Sequence, residues 1–159
     1  MKVISGFQTG ADIGGVKAAK NNNLITGGYI PKGFKTEKGN KPEYATMYNA
    51  IEHCSDNYLG RTLKNVMISD CTIIFDYMQS SGSKATKNYC SKNNKPYLYL
   101  NDVKINSNDI VDIILNFLII HKPNIVNIAG NRESVSKGIE KKVINIMDKV
   151  FKKLLNTEL

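Results

Sequence analysis

The run Ser5-Gly6-Phe7-Gln8-Thr9-Gly10-Ala11-Asp12 puts two glycines, two hydroxyls, a side-chain amide and an acid within eight residues. Gly6 and Gly10 lack a Cβ, so the backbone can turn tightly and approach a ligand closely. A helix that starts just beyond aims free N–H groups and its positive dipole end at that ligand. This is phosphate-binding chemistry, although the spacing matches neither a Walker loop nor G-x-G-x-x-G. The plainer reading is a tight connection in an α/β fold. On the binding reading, a branched side chain at Gly10 blocks the ligand and spares the fold. Three more segments carry similar chemistry: Gly27–Gly33, Asp76–Ser83 and Ala129–Ser134. With Lys32, Arg61 and Arg132 as cations, they predict a site for an extended ligand with more than one phosphate. The predicted ligand-binding set is Gly6, Phe7, Gln8, Thr9, Gly10, Asp12, Lys32, Arg61, Asp76, Ser81, Gly82, Ser83, Gly130, Asn131, Arg132, Glu133 and Ser134. No catalytic residue and no metal ligand is assigned.

Several of these residues have a second reading. Asp12 either complements the helix dipole, worth roughly 0.3–1 kcal/mol, or meets a ligand hydroxyl or a metal. Asp76 either orders a turn or reads a ribose or pterin group beyond a strand's carboxyl end. Arg61 pairs with a helix-face acid or contacts an anion. Glu133 pairs with Arg132, caps the last helix or contacts the ligand, and Lys32 is either a ligand contact or loop solvation. Tyr29 and Tyr77 are core-rim aromatics or stacking surfaces for a planar ring.

These turns must be held by regular elements. Apolar periodicity and Gly/Pro punctuation predict strands over Val3–Gly6, Ile25–Ile30, Cys71–Tyr77, Pro96–Leu100 and Ile125–Ala129. Helices are predicted over Ala11–Asn22, Arg61–Ser69, Gly82–Asn93 and Asn108–His121, and from Glu133 or Gly138 to Leu155. Pro31–Glu43 reads as a basic loop without a core face. The alternation predicts an α/β, Rossmann-like three-layer sandwich with a mainly parallel sheet, as one domain over residues 1–159. Ligands then sit outside the carboxyl ends of the strands, where the strand order switches.

Composition sets the class. The chain has 159 residues, 42% of them hydrophobic, and a net charge of +8, which fits a globular domain with anionic partners. The lysines are scattered, so solubility is the competing explanation. No basic stripe interleaved with aromatics is visible, which argues against nucleic acid. Ile113–Ile120 is far too short to span a bilayer, so no membrane partner is expected. Cys54, Cys71 and Cys90 are odd in number and form no C-x-x-C. A reducing compartment, and hence the cytoplasm, is the expected location.

Four motifs in order resemble the molybdenum-cofactor carrier proteins of the Rossmann-like SLOG superfamily, relatives of the lonely-guy phosphoribohydrolases. Ser5–Asp12 resembles their S-G-G-Q-T-G-A-D, and Gly27-Gly28-Tyr29-x-Pro31-Lys32-Gly33 resembles G-G-[WY]-x-P-K-G. Tyr58-x-x-Arg61-Thr62-x-x-Asn65-Val66-x-x-Ser69-Asp70 and Asn127-x-Ala129-Gly130-x-Arg132-Glu133-Ser134 resemble two further motifs. Phe7 stands where the family has glycine, Ile13 where it has arginine, and Ser81 where it has the first glycine of T-G-G-T. The resemblance implies a homo-oligomer that binds a phosphate-bearing, nucleotide-like ligand. Molybdenum cofactor and a nucleotide are the candidate ligands, bound by a carrier. The alternatives are sensing or sequestering of a nucleotide-derived signal, and hydrolysis of a nucleotide. The phosphoribohydrolases use a Glu after their second Gly-rich turn. Ser81–Asn88 holds no carboxylate, so that route lacks its acid–base partner.

Overall fold

The computed structural model describes residues 1–157. Six parallel strands form the sheet: β1 (Lys2–Ser5), β2 (Ile25–Ile30), β5 (Ala50–Glu52), β6 (Cys71–Phe75), β7 (Tyr97–Leu100) and β8 (Ile125–Gly130). Their spatial order is β5-β2-β1-β8-β6-β7. The last strand is thus inserted at the centre, between β1 and β6. Helices α1 (Ala11–Asn21), α5 (Ser107–His121) and α6 (Ile139–Thr157) cover one face. Helices α3 (Tyr58–Ile68) and α4 (Ser81–Lys92) cover the other. This is the three-layer α/β sandwich that the alternation predicts.

Strand periodicity separates core from site. In β8, Val126 and Ile128 point into the main core with Val3, Ile73, Phe75, Val143, Met147 and Phe151. The residues between them, Asn127 and Ala129, therefore face the opposite layer. In β6, Cys71, Ile73 and Phe75 join the core, while Thr72 stands beside Asn127 in register. Two buried polar residues thus lie side by side on neighbouring central strands. Cys71 packs as a small hydrophobe, and burial pushes its thiol up to about 12.

The segment after β2 departs from the predicted loop. It contains a 3₁₀ turn at Lys32–Phe34 and a hairpin of β3 (Lys35–Thr36) and β4 (Gly39–Asn40). Helix α2 (Tyr44–Tyr48) and edge strand β5 follow. Thr36 is buried, and Phe34 and Tyr44 pack on a second apolar cluster of Phe7, Ile13, Val16, Ile30, Tyr48 and Ala50. The segment thus has a core face after all, made by a few isolated side chains.

Candidate functional site

A cavity of about 390 Å³ opens beyond the carboxyl ends of β1 and β8, large enough for a small-molecule ligand. Its walls come from the β1–α1 turn, α3, the start of α4 and the β8–α6 loop. Of the predicted set, Gly6, Gln8, Asp12, Arg61, Ser81, Gly82, Gly130, Arg132 and Ser134 line it. Tyr58, Leu59, Thr62, Asn65, Ser80, Thr86, Asn127, Ala129 and Val135 complete the lining without having been assigned to the site.

At the floor, Arg61 and Asp12 are buried and paired at 3.4 Å. A Cβ on Gly6 would land on the Arg61 guanidinium, so glycine there makes room for the cation. The pairing is the reading of Arg61 as the partner of a helix-face acid, and both residues also line the cavity. Burial raises the Asp12 carboxyl to about 6, against Arg61 and backbone N–H donors at Gln8, Gly6 and Gly130, which favour the charged form. Burial likewise lowers the pKa of Arg61, against the pull of Asp12.

Three buried polar atoms of the lining have no partner: Gln8 Nε2, Arg61 Nε and Asn127 Oδ1. Buried polar groups are paired in the great majority of proteins. Two unpaired donors and one unpaired acceptor around one cavity are complementary to a ligand with oxyanion oxygens and an N–H or O–H group. Helix α4 adds to this. Ser80 caps it by accepting from the Ser83 N–H, which leaves the Ser81 and Gly82 N–H groups at a positive helix end without an intrahelical partner. A Cβ on Gly82 would meet nothing within 4 Å.

Tyr58 organises the positive charge. Arg132, Lys35 and Arg61 lie 5.4, 5.4 and 5.8 Å from its ring centroid, within cation–π range. Arg132 Nε is also 4.0 Å from Glu37. Asn65 is a stitch: its amide pairs with Tyr29 N, Tyr29 O and Ser5 O, tying α3 to β1 and β2.

The other predicted residues sit elsewhere. Asp76 is fully buried and accepts from Ser80 N, Asn131 Nδ2 and Tyr99 Oη, so it orders the turn rather than reading a ring. Asn131 bridges Asp76 and the Met78 N–H. Glu133 accepts from Gly138 N and Glu140 N and so holds the start of α6. Ser83 is buried on its cap, and Lys32 is exposed on the 3₁₀ turn, away from the cavity. Thr9 turns toward Glu37. Gly10 has φ 83°, and a Cβ there would strike the backbone of residues 131–133. A branched residue at position 10 therefore disrupts two loops, contrary to the expectation that the fold is spared.

Phe7 also corrects an expectation. Its ring is fully buried in the second apolar cluster and offers no face to the cavity. Its φ is 58°, a conformation glycine adopts freely and L-residues seldom do. Ile13 lies in the same cluster. Two of the three departures from the family pattern, Phe7 and Ile13, thus share one apolar cluster.

Residues 3–151 match the Circularly permutated YpsA SLOG family. The chain belongs to that family. The insertion of the last strand beside the first at the sheet centre fits the permutation that the family's name describes. The chain is also similar to the crystal structure of a "Putative molybdenum carrier protein" from Syntrophus aciditrophicus SB, with a TM-score of 0.88 and 31% identity over 94% of this chain and 93% of that one. No curated protein matches it. Among the described residues no helix is long and apolar enough to cross a membrane.

Proposed function

We propose that the cavity binds a phosphate-bearing, nucleotide-like small molecule, and that the protein is a carrier of such a ligand. The three unpaired buried atoms of Gln8, Arg61 and Asn127 carry this reading. Phosphate oxygens accept from Arg61, Gln8 and the first N–H groups of α4, and a ring N–H or hydroxyl donates to Asn127. The pterin phosphate of molybdenum cofactor, as cargo, and a purine nucleotide both have this combination. Charge-assisted hydrogen bonds of this kind contribute roughly 1.5–3 kcal/mol each. The carrier-like relative supports the cargo, and the net charge of +8 supports an anion. The test is mass spectrometry of small molecules released from the purified protein. A pterin supports the carrier, an intact nucleotide supports sensing or sequestering of a nucleotide signal, and a base with a sugar phosphate supports an enzyme.

The enzyme reading has one observation in its favour. Asp12 is a cavity carboxylate whose pKa of about 6 suits proton transfer near neutral pH. Asp76, Glu133 and Glu37, the other acids near these loops, have their oxygens committed to hydrogen bonds. Cleavage of an N-glycosidic bond in this cavity would thus fall to Asp12. Homo-oligomerisation and a cytoplasmic location are further parts of the proposal, checked by light scattering and by fractionation.

A further inference from the structure

Beside the cavity lies a corner built to hold an oxyanion, and this chain fills it with its own side chain. The Glu37 carboxylate accepts from Thr9 Oγ1, from Ser134 N at 3.2 Å and from Ser134 Oγ, with Arg132 Nε at 4.0 Å. The Glu37 N–H donates to Gln8 Oε1 at 2.9 Å, and Thr9 N donates to the same oxygen at 3.0 Å. Burial alone would raise the Glu37 carboxyl. The Ser134 and Thr9 donors, with Arg132, outweigh it and hold the group below the usual carboxylate range. Arg132 and Ser134 also line the main cavity. The corner and the cavity are therefore adjoining parts of one surface.

Glu37 is held by these polar contacts and belongs to neither apolar cluster. It sits at the tip of a hairpin of two-residue strands, beside the exposed Lys38. Glu37 is the only acid among the four lysines of residues 31–42. Released, it would be solvated beside Lys35 and Lys38. Exchanging it for a phosphoryl group replaces one anion by another against the same donors.

We propose that Glu37 is a built-in occupant of a second oxyanion subsite formed by Thr9, Ser134 and Arg132, and that a second phosphoryl or carboxylate group of the ligand takes its place when the 35–40 hairpin lifts. The proposal rests on the anion-binding reading of the main cavity. It makes the preferred ligand one with two anionic groups, such as a diphosphate. It also explains how the apo protein keeps the corner's donors satisfied.

The test is calorimetric titration of inorganic pyrophosphate and orthophosphate into the wild type, Glu37→Gln and Glu43→Gln. Glu37→Gln is expected to bind pyrophosphate at least tenfold more tightly than the wild type. Orthophosphate should change less than twofold, because it fills the main cavity alone. Glu43→Gln, which removes a charge from the same segment, should leave both affinities as they are. Hydrogen exchange on the wild type gives an arm that needs no variant. Pyrophosphate should speed exchange of the residue 35–40 amides, and orthophosphate should not. Unchanged or weaker pyrophosphate binding by Glu37→Gln, or protection of the hairpin by pyrophosphate, overturns the subsite while orthophosphate binding keeps the main cavity. Failure of both anions to bind any of the three proteins overturns the cavity reading as well.

Discussion

The cavity floor and the Asp76 turn lie close along the same sheet edge, yet they treat their polar groups in opposite ways. Around Asp76, the Ser80 N–H, the Asn131 amide and the Tyr99 hydroxyl all meet carboxylate oxygens. At the floor, Arg61, Gln8 and Asn127 each keep a buried atom unpaired. Both regions are rich in the Gly, Ser, Asn and Asp that make phosphate turns. A satisfied network specifies a loop's shape. An unsatisfied one costs stability that a ligand can return.

The contrast breaks most visibly where the satisfied network is cut. Asp76→Ala leaves one buried and two half-buried donors unpaired, and a cost of about 3 kcal/mol is expected. The melting temperature should fall by roughly 6–12 °C for a domain of this size. Gly10→Val is expected to be at least as harmful, since it forces both a strained φ and a backbone clash. A folded Gly10→Val protein that only loses ligand would restore the reading of this glycine as a ligand contact.

Floor residues should behave the other way. Arg61→Ala is expected to weaken phosphate-ligand binding by about ten- to a hundredfold, read by calorimetry. Its melting temperature should move less than that of Asp76→Ala, because Asp12 can take up a proton when its partner leaves. Arg132→Ala should cost about tenfold in affinity and little stability, as its 4.0 Å contact with Glu37 is a weak one. A large melting shift with intact affinity would move either arginine to the structural side.

The floor also has a pH signature. Asp12 has a folded pKa of about 6 against 3.8, so the folded state holds its proton more tightly than the unfolded chain does. Its contribution therefore makes stability fall as pH rises from about 4 to about 6 and level off above, by on the order of 3 kcal/mol. Glu37 has the opposite sign: its lowered pKa stabilises above the unfolded value, and that is lost as pH falls through the folded one. Melting curves of the wild type and Asp12→Asn from pH 4 to 8 should differ in slope below pH 6 and run parallel above it. Parallel curves throughout would place Asp12 in a more solvated setting.

The smallest effects belong to the caps and to chemistry. Glu133→Ala should lose about 1 kcal/mol through the start of α6 and leave anion affinity unchanged. Release of free base from AMP or GMP should stay at background on chromatography after long incubation with protein in excess. Steady release that disappears in Asp12→Asn would make the protein an enzyme.

Much of this was legible in the chain, for unequal reasons. The strands and helices from residue 58 onward follow apolar periods strong enough to place within a few residues. Strand β5 was not, because Ile51 and Glu52 are exposed on an edge and leave no alternation to read. Glycine-rich turns were recognisable as a group, but their chemistry depends on whether each polar atom finds a partner, and that is decided between distant segments. Asn127 carried a usable signal: an amide inside an apolar central strand must be paired or functional. Glu37 carried one too, as the only acid among the four lysines of residues 31–42. Phe7 misled, because its place in a glycine-rich turn says nothing of the core cluster that absorbs its ring.

The central claim is that the unpaired atoms of the floor recognise a phosphate. Native mass spectrometry with paired ligands, AMP against adenosine and a pterin phosphate against its dephosphorylated form, tests it most directly. At least one phosphorylated member should bind tenfold or more tightly than its partner, and Arg61→Ala should erase the difference. Equal binding of the phosphorylated and dephosphorylated forms, or a preference that survives Arg61→Ala, would contradict the account.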